Sequence, residues 1–92
     1  MKVDKQLLLL KCLSDEMRLE ILFFLKDGER CVYEIVKELG AEQSLVSHHI
    51  QGLRKCRLVK FRQEGRKKMY RLAEPSLLKI LTDLERLSEK SC

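Results

Sequence analysis

Apolar residues recur along this chain at two different periods, and the change of period divides it. Residues 2–13 are rich in leucine and free of glycine and proline, which predicts a first helix. Ser14-Asp15 supplies an N-cap for a second helix, in which Met17, Ile21, Leu22 and Leu25 share one face. Gly28, after Lys26-Asp27, is its C-terminal stop. Residues 31–39 predict a short third helix with Val32, Ile35, Val36 and Leu39 inward, ended by Gly40. After the turn Ala41-Glu42-Gln43, a fourth helix runs to about Lys55. Val46, Ile50 and Leu53 face inward on it, while Ser44, Ser47, His48, Gln51 and Lys55 form a separate polar stripe.

The period then drops to two. Residues 58–63 and 67–72 alternate in polarity around the turn Glu64-Gly65-Arg66, which predicts a β-hairpin. Pro75 suits the first turn of a final helix, whose apolar stripe is Leu77, Ile80, Leu81, Leu84 and Leu87. The expected fold is mainly α with one β-hairpin, in the order α-α-α-α-β-β-α, as one domain over residues 1–92. So short a monomer can hardly cover the leucines at 7–10 and those at Leu77, Leu81 and Leu84. A homodimer built on the first and last helices is the expectation.

Composition removes several classes. At 45% apolar the chain is no disordered tail. Its longest apolar run is residues 21–25, against the roughly 20 residues of a membrane span. The charged residues 1–6 meet only four leucines, too few for a secretory signal, so a cytoplasmic location and no membrane partner are expected. Cys12, Cys31, Cys56 and Cys92 are irregularly spaced and form no CxxC. In a reducing compartment they are expected as free thiols, small buried hydrophobes except at the terminal Cys92.

Charge changes the picture most. Residues 54–71 hold nine basic side chains and one acid, Glu64, while the rest of the chain is net negative. One basic segment on a slightly acidic body suggests a surface for a polyanion. It follows directly on a pair of helices joined by a tight glycine turn, a helix-turn-helix pattern. Short hydrogen-bonding side chains at the start of a helix suit the base edges of a major groove. Gln43, Ser44, Ser47 and His48 fill those positions, with Gln51 and Arg54 further along. Arg62, Arg66, Lys67 and Lys68 on the hairpin suit phosphates, which set register and affinity rather than sequence preference.

Residues 10–22, the segment Val46-Ser47-His48-His49-Ile50-Gln51-Gly52-Leu53-Arg54, and the run Arg57-Leu58-Val59, Gly65-Arg66 and Tyr70-Arg71-Leu72 together resemble the ArsR/SmtB family of winged-helix transcriptional repressors. The resemblance implies a winged helix-turn-helix fold and a homodimer joined by its first and last helices. It also implies an inverted-repeat operator in double-stranded DNA and release by an inducer, often a metal ion. It assigns base contact to Gln43, Ser44, Ser47 and His48, although Ser44 stands where many members have proline. His49 is expected as a packing residue with one hydrogen bond.

The sensor chemistry departs from that pattern. Where many members carry a Cys-x-Cys-Asp-Leu-Cys-like segment, this chain reads Cys31-Val32-Tyr33-Glu34-Ile35-Val36, which keeps one thiol. The last helix offers Asp83, Glu85 and Glu89 but no histidine. No metal ligand set and no cofactor are therefore expected, and the effector is left open. An enzyme is not expected: Ser47 and His48 are adjacent on one helix, about 100° apart, with no third group to orient a base. The alternative is a winged-helix module for protein contacts or for non-specific nucleic-acid binding.

Overall fold

Local chemistry sets where three of the five helices begin. In the computed structural model, which describes all 92 residues, α1 spans Asp4–Leu13 and α2 Glu16–Leu25. Asp15 caps α2, its carboxylate accepting from the Arg18 N–H at 2.9 Å. A two-residue strand β1 (Arg30–Cys31) leads into α3 (Val32–Leu39). There the Cys31 N–H donates to Glu34 Oε1 at 3.0 Å, a carboxylate reaching back over the helix start. Gly40 closes α3 and α4 follows over Gln43–Lys55. Strands β2 (Val59–Glu64) and β3 (Lys67–Leu72) form the hairpin, and α5 runs over Pro75–Ser91 with Pro75 in its first turn.

The three strands are antiparallel in the order β1-β3-β2. Val59 stands opposite Leu72, Phe61 opposite Tyr70 and Glu64 opposite Lys67. One hydrophobic core joins all layers: Ile21 and Leu22 of α2, Ile35 of α3, Val46, Ile50 and Leu53 of α4, Val59 and Tyr70 of the sheet, Leu77 and Leu81 of α5. Burial of each such aliphatic side chain is worth about 1.5–3 kcal/mol. No helix is long and apolar enough to cross a membrane.

Four expectations need correction. Cys31 ends a strand and caps α3 rather than opening that helix, because β1 pairs Arg30 with Tyr70 and Cys31 with Met69; a two-residue strand leaves no period to read. Glu64 belongs to β2, so the turn is only Gly65-Arg66, with Gly65 at φ 60° as a tight hairpin demands. Leu77 and Leu81 face the chain's own core and cannot serve a dimer surface. The apolar positions left open on α5 are Leu78, Ile80, Leu84 and Leu87, beside Leu7, Leu8 and Leu10 on α1. Finally, the cysteines are not four free thiols: Cys12 and Cys56 form a disulfide, leaving Cys31 and Cys92 free. The partners lie 44 residues apart and meet only because α1 and α4 end side by side, which spacing along the chain does not disclose.

Candidate nucleic-acid interface

The inner face of α4 is fixed by Val46, Ile50 and Leu53, none more than 1% exposed. A second restraint comes from α2. Arg18 lays its guanidinium across α4, Nε donating to His49 Nδ1 at 3.3 Å and Nη1 reaching the Cys12 carbonyl at 3.4 Å. It can do so because residue 52 is glycine; a Cβ there would stand 2.5 Å from Arg18 Nη2. His49 therefore packs with one hydrogen bond, as expected, and Asp15 lies 3.7 Å from its ring nitrogen. The opposite face of α4 presents Gln43, Ser44, His48 and Gln51 exposed and Ser47 half-buried, all on one helix and open to a ligand. His48 stands edge-on to His49 at 5.4 Å.

The hairpin carries its cations in two arrangements. Arg66, Lys67 and Lys68 are exposed around the turn, which Gln63 braces by donating from Nε2 to the Gly65 carbonyl at 3.1 Å. Arg62 is engaged instead: its Nε meets both Glu29 oxygens at 2.9 and 3.0 Å, and its Nη2 lies 2.9 Å from Glu29 Oε1. Arg71 approaches the same carboxylate at 3.7 Å. Glu29 thus neutralises part of the basic segment at its root and leaves the tip cationic.

Phe61 joins the two regions. Arg54 of α4 lies 4.7 Å from its ring centroid and Lys68 of β3 4.8 Å, both cation–π contacts. Arg54 also donates to Gln51 Oε1 at 3.2 Å. A cavity of about 380 Å³, lined by Arg54, Arg57, Lys60 and Phe61 among others, opens at this junction. The polar stripe of α4 and the basic hairpin are therefore neighbours on one surface. A second cavity, about 360 Å³, lies between Cys31, Tyr33 and the cations Arg66, Lys67 and Lys68. Beside it, the Cys31 backbone N–H holds the Glu34 carboxyl below its ordinary carboxylate range; the Cys31 thiol, Arg30 and Lys67 act in the same direction.

Sequence reasoning missed Glu29, Arg18 and Gly52, and read Phe61 only as a strand aromatic. An aromatic among alternating cations was the available signal for Phe61. Glu29 left none, since its partners are 33 and 42 residues away.

This architecture is the winged helix-turn-helix. It superposes on HlyU from Vibrio cholerae with a TM-score of 0.85, at 36% identity over 91% of each chain. It superposes on a homodimeric winged helix-turn-helix DNA-binding domain from Mycobacterium bovis with a TM-score of 0.88, at 28% identity over 96% of this chain and 82% of that one. Residues 15–60 match the family model of bacterial regulatory proteins of the arsR family. The chain is 37% identical over 75 residues to the transcriptional repressor SmtB of Mycobacterium tuberculosis, covering 82% of this chain and 56% of that protein. The chain belongs to the arsR family, whose members named here are regulators rather than enzymes.

Proposed function

We propose that this chain is the protomer of a homodimeric, sequence-specific DNA-binding repressor. The observation that carries the reading is the Arg54–Phe61–Lys68 contact, which makes one surface of the polar face of α4 and the basic wing. On that surface Gln43, Ser44, Ser47, His48 and Gln51 read base edges in the major groove. Arg54, Arg66, Lys67 and Lys68 hold phosphates. Arg62, paired with Glu29, contributes through the shape of the wing and reaches a phosphate only by releasing that carboxylate.

Two copies joined through α1 and α5 present two recognition helices to an inverted repeat, about 34 Å apart for half-sites one duplex turn apart. The exposed Leu7, Leu8 and Leu10 of α1 and Leu84 and Leu87 of α5 support that interface, as does the homodimeric relative from Mycobacterium bovis. Leu8→Lys or Leu87→Lys should yield folded monomers in sedimentation at micromolar concentration. Leu81→Lys tests the core instead.

On this reading the effector is something other than a soft metal held by three thiolates of one chain. Tyr33 and Val36 stand at the positions where the resemblance calls for further thiols, and Cys12 is committed to Cys56. DNA release by low micromolar arsenite, cadmium or zinc, lost in Cys31→Ser, would reverse that part of the reading.

The deciding experiment is selection of genomic fragments by the purified protein, then footprinting and a salt series on the selected and scrambled duplexes. Preference for the selected duplex supports the reading. Equal affinity for both leaves a non-specific binder, and no affinity for either leaves a module for protein contacts.

A further inference from the structure

The disulfide between Cys12 and Cys56 has two unlike ends. Cys12 closes α1 and is 4% exposed, whereas Cys56 follows the last turn of α4 and is exposed. Cys56 is thus the end of the bond on the solvent side, and Cys12 the end on the core side. The buried sulfur has a cation beside it: Arg18 Nη1 lies 3.5 Å from Cys12 Sγ. Gly52 leaves the space that the guanidinium occupies. A neighbouring guanidinium favours thiolate over thiol, and a stabilised thiolate is the better leaving group in exchange. Attack is open at one sulfur, and departure as an anion is favoured at the other. A structural staple needs neither property.

The bond also sits at the corner that ends α4. Arg57, the residue after Cys56, has φ 60° and forms the left-handed cap of that helix, its N–H donating to the Arg54 carbonyl at 2.9 Å and the Leu58 N–H to the Leu53 carbonyl at 3.0 Å. The tether joins the end of α1, next to the exposed leucines, to the end of α4, next to the polar face.

We propose that Cys12–Cys56 is a reversible thiol–disulfide site that exchanges with low-molecular-weight thiols and, through the corner at Arg57, sets how firmly α4 is held for DNA. The second half rests on the DNA-binding reading above. In the opening step an external thiolate attacks Cys56 Sγ. The bond between the two cysteine sulfurs breaks, and its electron pair leaves on Cys12 as a thiolate facing Arg18. A second external thiolate attacks the outer sulfur of the mixed disulfide, forming the small-molecule disulfide and freeing Cys56 as a thiolate. The protons given up by the two small thiols return to the two cysteines. Two small thiols are oxidised, one protein disulfide is reduced, and the reverse sequence closes it. With the bond closed, the end of α4 is tethered to α1 and preorganised; with it open, that tether is lost and binding is weaker.

The test uses the full chain in glutathione buffers of graded thiol-to-disulfide ratio. Differential alkylation with peptide mapping reads Cys12 and Cys56 separately from Cys31 and Cys92, while circular dichroism reports folding. DNA affinity is measured on a duplex enriched by the oxidised protein from a random-sequence pool. The expected result is reversible opening in the folded state, with affinity about 5- to 10-fold weaker when open, within the usual span of coupling between sites. Cys56→Ser should fold, hold the weaker affinity and ignore the buffer. Gly52→Ala should slow exchange by moving Arg18 away from Cys12, a change that a purely structural bond would not show. A bond that opens only on unfolding overturns the exchange site. Opening without any change in affinity overturns the coupling. Reversible exchange with no duplex enriched in either state supports the exchange site, and it overturns both the DNA-binding reading and the coupling.

Discussion

Recognition helix and wing are held in place by opposite means. The inner side chains of α4 are sealed in the core, and Arg18 crosses its backbone at Gly52. Of the hairpin, only Val59 and Tyr70 are buried, both away from its tip. Every residue from Arg62 to Lys68 is exposed, and the restraints there are ion pairs with Glu29 and cation–π contacts with Phe61. Apolar packing is not subject to charge screening, whereas exposed ion pairs are screened with a Debye length of about 8 Å at physiological ionic strength. Ionic strength thus leaves the seating of the helix nearly unchanged, and it loosens the wing. Position and chemistry are separable in α4 and coupled in the wing.

The sharpest way to break the contrast is to open the core beneath the helix. Ile50→Ala should cost about 2–5 kcal/mol of folding stability in chemical denaturation. A loss below 1 kcal/mol would show that α4 is not anchored from within. Next, Ser47→Ala or Gln43→Ala should cost roughly 1–3 kcal/mol per half-site on a selected duplex, with random DNA little affected. Equal losses on both duplexes would make the polar stripe a phosphate contact and erase its distinction from the wing. Arg66→Ala or Lys67→Ala should weaken all duplexes alike and lower the salt slope by about one unit per lost phosphate contact per subunit.

Glu29→Gln sharpens the wing side further. Removing the carboxylate leaves Arg62 only its longer pair with the exposed Glu64, at 3.6 Å, so binding to all duplexes should strengthen and the salt slope should steepen. Folding stability should change by no more than about 1 kcal/mol, since the pair is partly exposed. The smallest effect concerns Glu34. Its folded-state carboxyl is held below its ordinary value of 4.5, first by the Cys31 N–H. Its contribution is therefore complete above that value and disappears as the pH falls through the lowered one. Thermal melts of the protein and of Glu34→Gln should differ at neutral pH and converge in acid.

Much of this comparison was legible before any coordinates. Helical spacing of Val46, Ile50 and Leu53 placed the core face of α4, and the polar stripe opposite followed from it. Alternation around Gly65 placed the hairpin. These features are local, written within a turn or two of the chain. Features that depend on distant partners were not legible. The stripe on α5 gave its period but not which of its leucines face inward, because two apolar faces overlap on that helix: Leu77 and Leu81 inside, Leu78, Ile80, Leu84 and Leu87 outside. In the sequence Arg62 is indistinguishable from Arg66, and only the fold sets Glu29 beside it. The union of Cys12 with Cys56 required knowing where two helices end in space.

The sheet order β1-β3-β2 leaves β2 as an open edge, and β1 covers only two residues of the other side of β3. An unpaired edge is a template on which strands of neighbouring molecules can add. Along β2, Lys60, Arg62 and Glu64 alternate with Val59, Phe61 and Gln63. A strand arriving from another copy would bring the same charges into close register, and both copies are net positive over this segment. The pattern that makes the wing basic also makes it a poor seed for sheet growth. That protection is greatest where protein molecules crowd together, and it weakens wherever counterions or a polyanion neutralise those side chains.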